Sequence, residues 1–361
     1  MLQILIIAKS NDPNTGYGKF TAELMKDLNS VEVFQVKCLT EERLVKSRKL
    51  GIFINPILIM FYGFDCAIIH ALDGYPYGLW ARIANVVLGK SLVITLQGTY
   101  SVEPLYTKWK RLMHWAYKGA RLVAISRYTR AEVLKVFPDL EIGVIHHGVD
   151  LEKLALDAKL DITDPYILSV GTLTGRKRYH ISIPAFAQVK KRFTKLKYLI
   201  IGDGYSKEYL QFLENLSVEH GVKADIIMWP KVSQEVLAEA FRRAQLFLLP
   251  AINVGHHFEG FGLVFLEGAA AGIPSIGTLG NGGEDAVLDG TTGILVEQGN
   301  VEQTANAMIN LLEDEAYRKK MGRQAAESAA SRTWTDAAFK YHCEYLSLRC
   351  LHGKKWCEYC C

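Results

Sequence analysis

Two successive series of short, unbroken apolar runs, each run followed by a segment of helical period, constrain this chain more than any other feature. In the first series the runs are Leu2–Ala8, Val31–Cys38, Cys66–Ala71, Leu92–Leu96, Leu122–Ile125 and Ile142–His146. Segments with helical spacing lie between them at Gly18–Leu28, Gly78–Leu88, Tyr106–Lys118 and Arg127–Phe137. Strands buried on both faces read as continuous Ile, Leu and Val runs, and their alternation with helices specifies a parallel sheet covered on both sides. A polar stretch, Asp150–Pro165, interrupts the rhythm, and Tyr166–Val170 restarts it. Further runs follow at Tyr198–Ile201, Asp225–Met228, Leu246–Leu249, Pro274–Ile276 and Ile294–Val296. Helices are expected at Arg178–Arg192, Lys207–Glu219, Gln234–Arg243, Gly262–Ala271 and Val301–Leu312, with a last helix over Trp334–Leu348. The expected fold class is therefore α/β: two doubly wound, Rossmann-like parallel-sheet domains facing a cleft, 1–150 and 151–333, with a Cys-rich tail at 349–361. Open sheets of this kind take ligands at the carboxyl ends of their strands.

Composition narrows the partners. Lys plus Arg total 42 against 38 for Asp plus Glu, a net charge of +4, which does not mark a dedicated nucleic-acid binder. The balance is uneven: residues 1–150 carry 18 basic and 13 acidic side chains, the remainder 24 and 25. The most apolar run, Ile52–Tyr62, is short and broken by Asn55-Pro56, whereas a membrane span needs about 20 apolar residues. The N-terminus reads as a strand, without the basic region and cleavage site of a signal peptide, so a cytoplasmic location is expected. Cys38 and Cys66 sit in apolar stretches as small hydrophobes, whereas Cys343, Cys350, Cys357, Cys360 and Cys361 crowd the C-terminus. Cys357 and Cys360, spaced C-x-x-C with His342 and His352 nearby, make a candidate zinc site or an ordinary tail.

Three loops carry ligand-binding chemistry. Asn11–Phe20, with Gly16 and Gly18, lies between the first strand and helix. Glycines there permit close backbone approach, and helix-start N–H groups attract anions. The alternative is a plain glycine turn. Val170–Arg178, with Gly171 and Gly175, ends the first strand of the second series and places Arg176, Lys177 and Arg178 at the mouth of a helix. Cations oppose the dipole there, and a bound polyanion such as a diphosphate would remove the conflict, as would side chains turned to solvent. In Pro250–Glu267, Glu259 lies in a loop, Gly260 and Gly262 expose main-chain donors, and Glu267 follows more than one turn into a helix. Two carboxylates so placed can bracket a polyhydroxyl ligand. Gly280–Asp285 is a further glycine turn that can present N–H donors.

The order of these pieces is recognisable. Glu259 and Glu267 have the E-x7-E spacing, flanked by Leu246–Pro250, Gly260–Val264 and Ala271–Pro274. Ile201-Gly202-Asp203-Gly204, Asp289-Gly290-x-x-Gly293 and His147–Asp150 also fit. The chain resembles glycosyltransferase family 4, the group 1 nucleotide-sugar transferases of GT-B fold, over residues 1–348. The resemblance implies that Glu267 holds the donor ribose and Glu259 the sugar hydroxyls, with the amides of Phe261 and Gly262 beside sugar and phosphate. Lys177 and Arg176 would neutralise the departing diphosphate, in the loop opened by Gly171, while Gly16 would approach the donor from the first domain. It also implies a last helix, 334–348, crossing back to that domain. Two departures stand out. Thr172 follows Gly171 where many members have Arg, so Arg176 is expected to substitute. Gln97 in Thr95–Thr99 replaces a His that contacts the sugar; it donates hydrogen bonds but does not titrate. His70 and His114 are weak substitutes for it. Retention is implied and no metal or other cofactor is expected, since Asp203 lacks a paired carboxylate.

The expected activity is transfer of a hexose from a nucleotide diphosphate sugar to a glycan or lipid-linked acceptor. The alternative is a catalytically silent module of the same fold, which Gln97 favours slightly. The acceptor is expected on the more basic first domain. Lys108–Arg111 with Trp115 and Lys118, and Arg43, Lys46, Arg48 and Lys49 ahead of the apolar run, mark a candidate surface for the inner, anionic face of a membrane.

Overall fold

The computed structural model describes residues 1–350 apart from Asp203 and Tyr205, and of Arg48, Lys49, Arg349 and Cys350 only the backbone. Asp203, His352 and the cysteines beyond 350, and with them the zinc reading of the tail, lie outside the described residues. The chain divides into two compact units, Met1–Gly148 with the segment from Trp334 onward, and Val149–Thr333.

In the first unit, β1 (Leu2–Ala8), β2 (Phe34–Thr40), β3 (Ile68–Ala71), β4 (Ser91–Leu96), β5 (Arg121–Ala124) and β6 (Ile142–Val144) form a sheet in the order β2-β1-β3-β4-β5-β6. Every neighbouring pair is parallel. Its helices are α1 (Gly16–Ser30), α2 (Arg48–Gly63), α3 (Leu79–Leu88), α4 (Thr99–Val102), α5 (Lys110–Lys118) and α6 (Arg127–Val136). In the second unit, β7 (Tyr166–Val170), β8 (Lys197–Ile201), β9 (Ile226–Trp229), β10 (Phe247–Leu248), β11 (Ser275–Thr278) and β12 (Gly293–Val296) form a second parallel sheet, ordered β12-β11-β10-β7-β8-β9. Its helices are α7 (Tyr179–Lys190), α8 (Lys207–Glu219), α9 (Gln234–Arg243), α10 (Leu263–Ala270), α11 (Val301–Glu313) and α12 (Glu315–Ala330). Finally, α13 (Trp334–Cys350) packs against α1 in the first unit.

The apolar runs become strands because both faces are covered: Ile4, Leu5, Ile6 and Ile7 of β1 are wholly inaccessible, as are Leu199 and Ile200 of β8. Two long helices depart from the sequence expectation. The run at 52–62 is not broken at Asn55-Pro56 but lies inside α2. Pro56 removes one helical hydrogen bond, yet the buried Asn55 side chain pins the helix to Val45, accepting from its N–H at 2.8 Å and donating to its carbonyl at 3.1 Å. Helix α12 buries only Met321, Gly322, Ala325 and Ala329, a stripe of mostly small residues with a faint helical signature. There a Cβ on Gly322 would come within 2.1 Å of the Gly272 carbonyl.

Helix α13 completes the core of the first unit. Tyr341 and Tyr345 are fully buried, and His70 on β3 bonds Tyr345 Oη through Nδ1 at 2.6 Å and Thr95 Oγ1 through Nε2 at 2.8 Å. Thr95 in turn meets Tyr341 Oη at 3.0 Å. Burial pushes the His70 imidazole down to about 3, so it is a neutral core anchor and not a stand-in acid or base. His114 pairs instead with Asp139 on the surface, at 3.0 Å. Burial pushes the Cys38 and Cys66 thiols up to about 11, in keeping with apolar packing. No helix among the described residues is long and apolar enough to cross a membrane.

Candidate functional site

Each sheet reverses its strand order beside its own first strand, and the crevice outside such a switch point is where open α/β sheets take ligands. In the second unit β7 has β8 on one side and β10 on the other. The loops after β7 and β10 must therefore meet, and Ile252 N–H donates to the Arg176 carbonyl at 3.1 Å.

The loop after β7 opens with Gly171 at φ +147°, where a Cβ would lie 3.5 Å from Lys177 Cε. The Tyr179 hydroxyl donates to the Gly171 carbonyl at 2.9 Å. A short 3-10 turn, Gly175–Lys177, follows, and the chain enters α7 through Arg178 in the left-handed region, φ 55°. The cations at 176 and 177 thus precede α7 and do not form its first turn. Arg178 turns away and donates to His180 at 2.7 Å. Lys177 is buried, and its Nζ donates to Glu259 Oε2 at 2.6 Å; Arg176 Nη1 donates to the same oxygen at 3.0 Å. Glu259, in the loop after β10, is held from below: Gly282 N–H donates to its carbonyl at 2.8 Å. A Cβ on Gly282 would meet the Gly260 carbonyl at 1.9 Å, so the loop after β11 closes here only with glycine.

Burial opposes ionisation of Glu259, but Lys177 and Arg176 outweigh it and hold the carboxyl down to about 2. Burial also lowers the Lys177 ammonium, with Glu259 opposing and Arg176 assisting the shift. Among the described residues, one carboxylate, Glu259, pairs with both Arg176 and Lys177, and such a cationic excess suits an anion. Phe261 is buried, and Gly262 at φ +79° caps α10. A Cβ there would meet Phe265 Cδ2 at 2.6 Å. Glu267 is half-buried on α10. Of the residues singled out from sequence, the structure brings Arg176, Lys177, Glu259 and Gly171 together, with Phe261 and Gly262 in the continuation of the same loop.

Gly16 and Gln97 belong to the first unit. Gly16 begins α1, and a Cβ on it would meet nothing within 4 Å, whereas one on Gly18 would lie 2.0 Å from the Asp12 carbonyl. Gly18 is therefore required by its own loop, and no contact among the described residues requires glycine at 16. Gln97 follows β4 and donates to the Leu72 carbonyl at 2.9 Å, so one of its amide hydrogens is already committed.

The sequence reading missed Asp73, just beyond β3 at the switch point of the first sheet. It is buried and accepts from Ser101 Oγ at 2.5 Å and Gly74 N–H at 2.7 Å. Ser101 Oγ also accepts from Gln97 N–H at 3.1 Å, tying the loops after β3 and β4 together. The available signal was an acidic residue directly after a buried strand and before Gly74. Burial raises the carboxyl to about 7, and Ser101, Gly74 and Gln97 donors and the Lys9 charge hold it back. Because the raised group favours its neutral form in the fold, its stability contribution is full below 3.8 and declines as pH rises to about 7. Asp73→Asn is expected to remove that decline. The melting-temperature difference should move in the variant's favour across this window and stay level above it; a difference independent of pH would refute the assignment.

Comparison with known proteins bears on the fold and the family. The model described as "Glycosyl transferases group 1" matches residues 153–328, and that described as "Glycosyltransferase Family 4" matches 32–153. A GDP-mannose-dependent alpha-(1-6)-phosphatidylinositol monomannoside mannosyltransferase of Mycolicibacterium smegmatis is 28% identical over 222 residues, 58% of this chain and 56% of that protein. The chain thus spans little more than half the length of such relatives. An N-acetyl-alpha-D-glucosaminyl L-malate synthase of Bacillus anthracis is 28% identical over 277 residues, 72% of this chain and 69% of that protein. Among solved structures, Anabaena HepE in complex with UDP superposes with a TM-score of 0.79 at 18% identity, covering 96% of this chain and 100% of the other. That likeness shows the fold, the two-domain α/β architecture called GT-B. With two family models that together run from residue 32 to 328 and two six-stranded parallel sheets of this topology, the chain belongs to the group 1, family 4 glycosyltransferases.

Proposed function

We propose that this protein transfers a hexose from a nucleotide diphosphate sugar to a glycan or lipid-linked acceptor, with retention at the sugar's anomeric carbon. The observation that carries the reading is the pairing of buried Lys177 and half-buried Arg176 with the same buried carboxylate, Glu259. A departing nucleoside diphosphate develops negative charge, and preorganised cations stabilise it without reorganising at the moment of reaction. When the diphosphate occupies these cations, Glu259 is released from them and becomes an acceptor for the sugar hydroxyls. Gly175 supports the same placement: it has no positive φ and a Cβ there would meet nothing within 4 Å, so no contact among the described residues calls for glycine. Gly16 has the same property in the first unit. Glu267 is assigned to the ribose, the Phe261 and Gly262 amides to sugar and phosphate, and Gly171 and Gln97 to the donor. Since Lys177 and Arg176 supply the positive charge, the reading requires no metal.

The mannosyltransferase relative carries phosphatidylinositol in its name, and the first half of this chain is the more basic. Both support a lipid-linked acceptor and a cytoplasmic protein held peripherally at the inner face of an anionic membrane. A thermal-shift panel of nucleoside diphosphates and their sugars tests the donor. At a hundredfold excess over Kd, a selective ligand contributes about 2.7 kcal/mol, or roughly 5–10 °C in a lobe of this size. Slow release of the diphosphate from the same sugar nucleotide without acceptor then marks a transferase. Tight binding with no turnover of any donor would favour the silent module, and no shift with any nucleotide would remove both.

A further inference from the structure

Helix α2 is built inside out. Its small or polar positions Gly51, Asn55 and Gly63 face inward with Ile59, while Leu50, Phe53, Ile57, Phe61 and Phe64 face outward. Phe53, Phe61 and Phe64 are 74%, 78% and 76% exposed. From Leu50 to Phe64 there is no charged residue. A surface helix of a water-soluble lobe normally shows the opposite arrangement, with polar groups outward.

The face continues onto α3. A Cβ on Gly51 would lie 3.3 Å from Trp80 Cζ2, and one on Gly63 would lie 3.4 Å from Leu88 Cδ1. The two helices therefore run side by side in the same direction, and Val86 and Val87 near the end of α3 are exposed as well. Contiguous exposed apolar surface of this kind marks an interaction site. Its rim is cationic ahead of α2, where Arg43 and Lys46 are exposed. Glu41 and Glu42 precede them, and Asp65, past the far end, is neutralised by Lys37 at 2.5 Å. Large aromatic and aliphatic side chains bordered by Lys and Arg match the acyl boundary and headgroups of an anionic leaflet.

We infer that the outer face of α2, with Val86 and Val87 of α3, inserts into the surface of an anionic bilayer. The inference rests on the peripheral attachment proposed above and gives it a location other than α5, where Trp115 is half-covered by the Arg82 guanidinium 4.8 Å from its ring. The experiment is flotation of the full chain with vesicles of equal parts phosphatidylglycerol and phosphatidylcholine, and of phosphatidylcholine alone, alongside size-exclusion chromatography. The wild type is expected to float with the mixed vesicles. Phe53→Ser combined with Phe61→Ser should cut that binding at least tenfold at an unchanged melting temperature, since both side chains are exposed. Arg43→Glu with Lys46→Glu should abolish the preference for anionic vesicles. If wild type and the Phe double variant float equally, α2 is not the inserting element while peripheral attachment survives. If the wild type does not float, both fall. If it is a dimer that the Phe variant turns into a monomer, a second copy covers this face and the inference is overturned.

Discussion

Lys177→Ala is expected to lower kcat by about 10²–10³, the effect of removing one preorganised charge from a departing anion. The loss should appear mainly in kcat, because the cation matters most when the bond to the diphosphate is breaking. Structural damage should be small: Glu259 keeps Arg176 as a partner at 3.0 Å, so no buried charge is stranded. The measurement is initial-rate kinetics with the donor chosen by thermal shift, with the melting temperature of the variant as a control. Less than a tenfold change in kcat in a variant that melts normally would show that Lys177 does not serve the leaving group.

Glu259→Gln is expected to behave differently, and the difference is diagnostic. Without the carboxylate, two cations face each other in a buried site, and breaking such a group typically costs roughly 3–5 kcal/mol. The ligand-free variant should therefore melt well below the wild type. A nucleoside diphosphate replaces the missing negative charge, so its addition should raise the melting temperature more in the variant than in the wild type. Transfer should nonetheless be lost, since the sugar hydroxyls now meet a neutral amide in place of a charged, acceptor-only carboxylate. Acid titration supplies a second signature. Glu259 is held at about 2, below its ordinary 4.5, so its contribution is present above 4.5 and disappears as pH falls toward 2. The glutamine variant should lack that component. If the diphosphate stabilised wild type and variant equally, the proposed exchange of Glu259 for phosphate would be wrong.

The strands were legible because a parallel sheet leaves its own mark: Leu2–Ala8 and Tyr166–Val170 appear in the structure with the bounds their composition suggests. Helices α8 and α9, with Ser206 and Ser233 as caps, were equally plain. Helix α2 was not, because the rule that proline interrupts a helix is local. The side chain that offsets it, Asn55, acts through Val45, ten residues away. At the site, the residue types were readable but their pairing was not. The conflict between Arg176, Lys177 and a helix start suggested an external anion. The structure shows that Glu259, 82 residues on from Lys177, already answers much of it. Only the strand order, with β10 returning beside β7, brings the two together. Asp73 escaped for the same reason, since an isolated acid after a strand becomes notable only when Ser101 and Gln97 close over it.

The return of α13 has a bearing on biogenesis. The first lobe is interrupted by the second, whose residues 149–333 are contiguous. During synthesis the second lobe has all its parts before the first does, and domains generally fold as units. Until Tyr341 and Tyr345 emerge, His70 and Thr95 lack the hydroxyls that satisfy them, and Phe20 and His147 lack the Trp334 ring beside them. The nascent protein therefore carries an incomplete, partly apolar half-lobe for as long as it takes the ribosome to translate the other one.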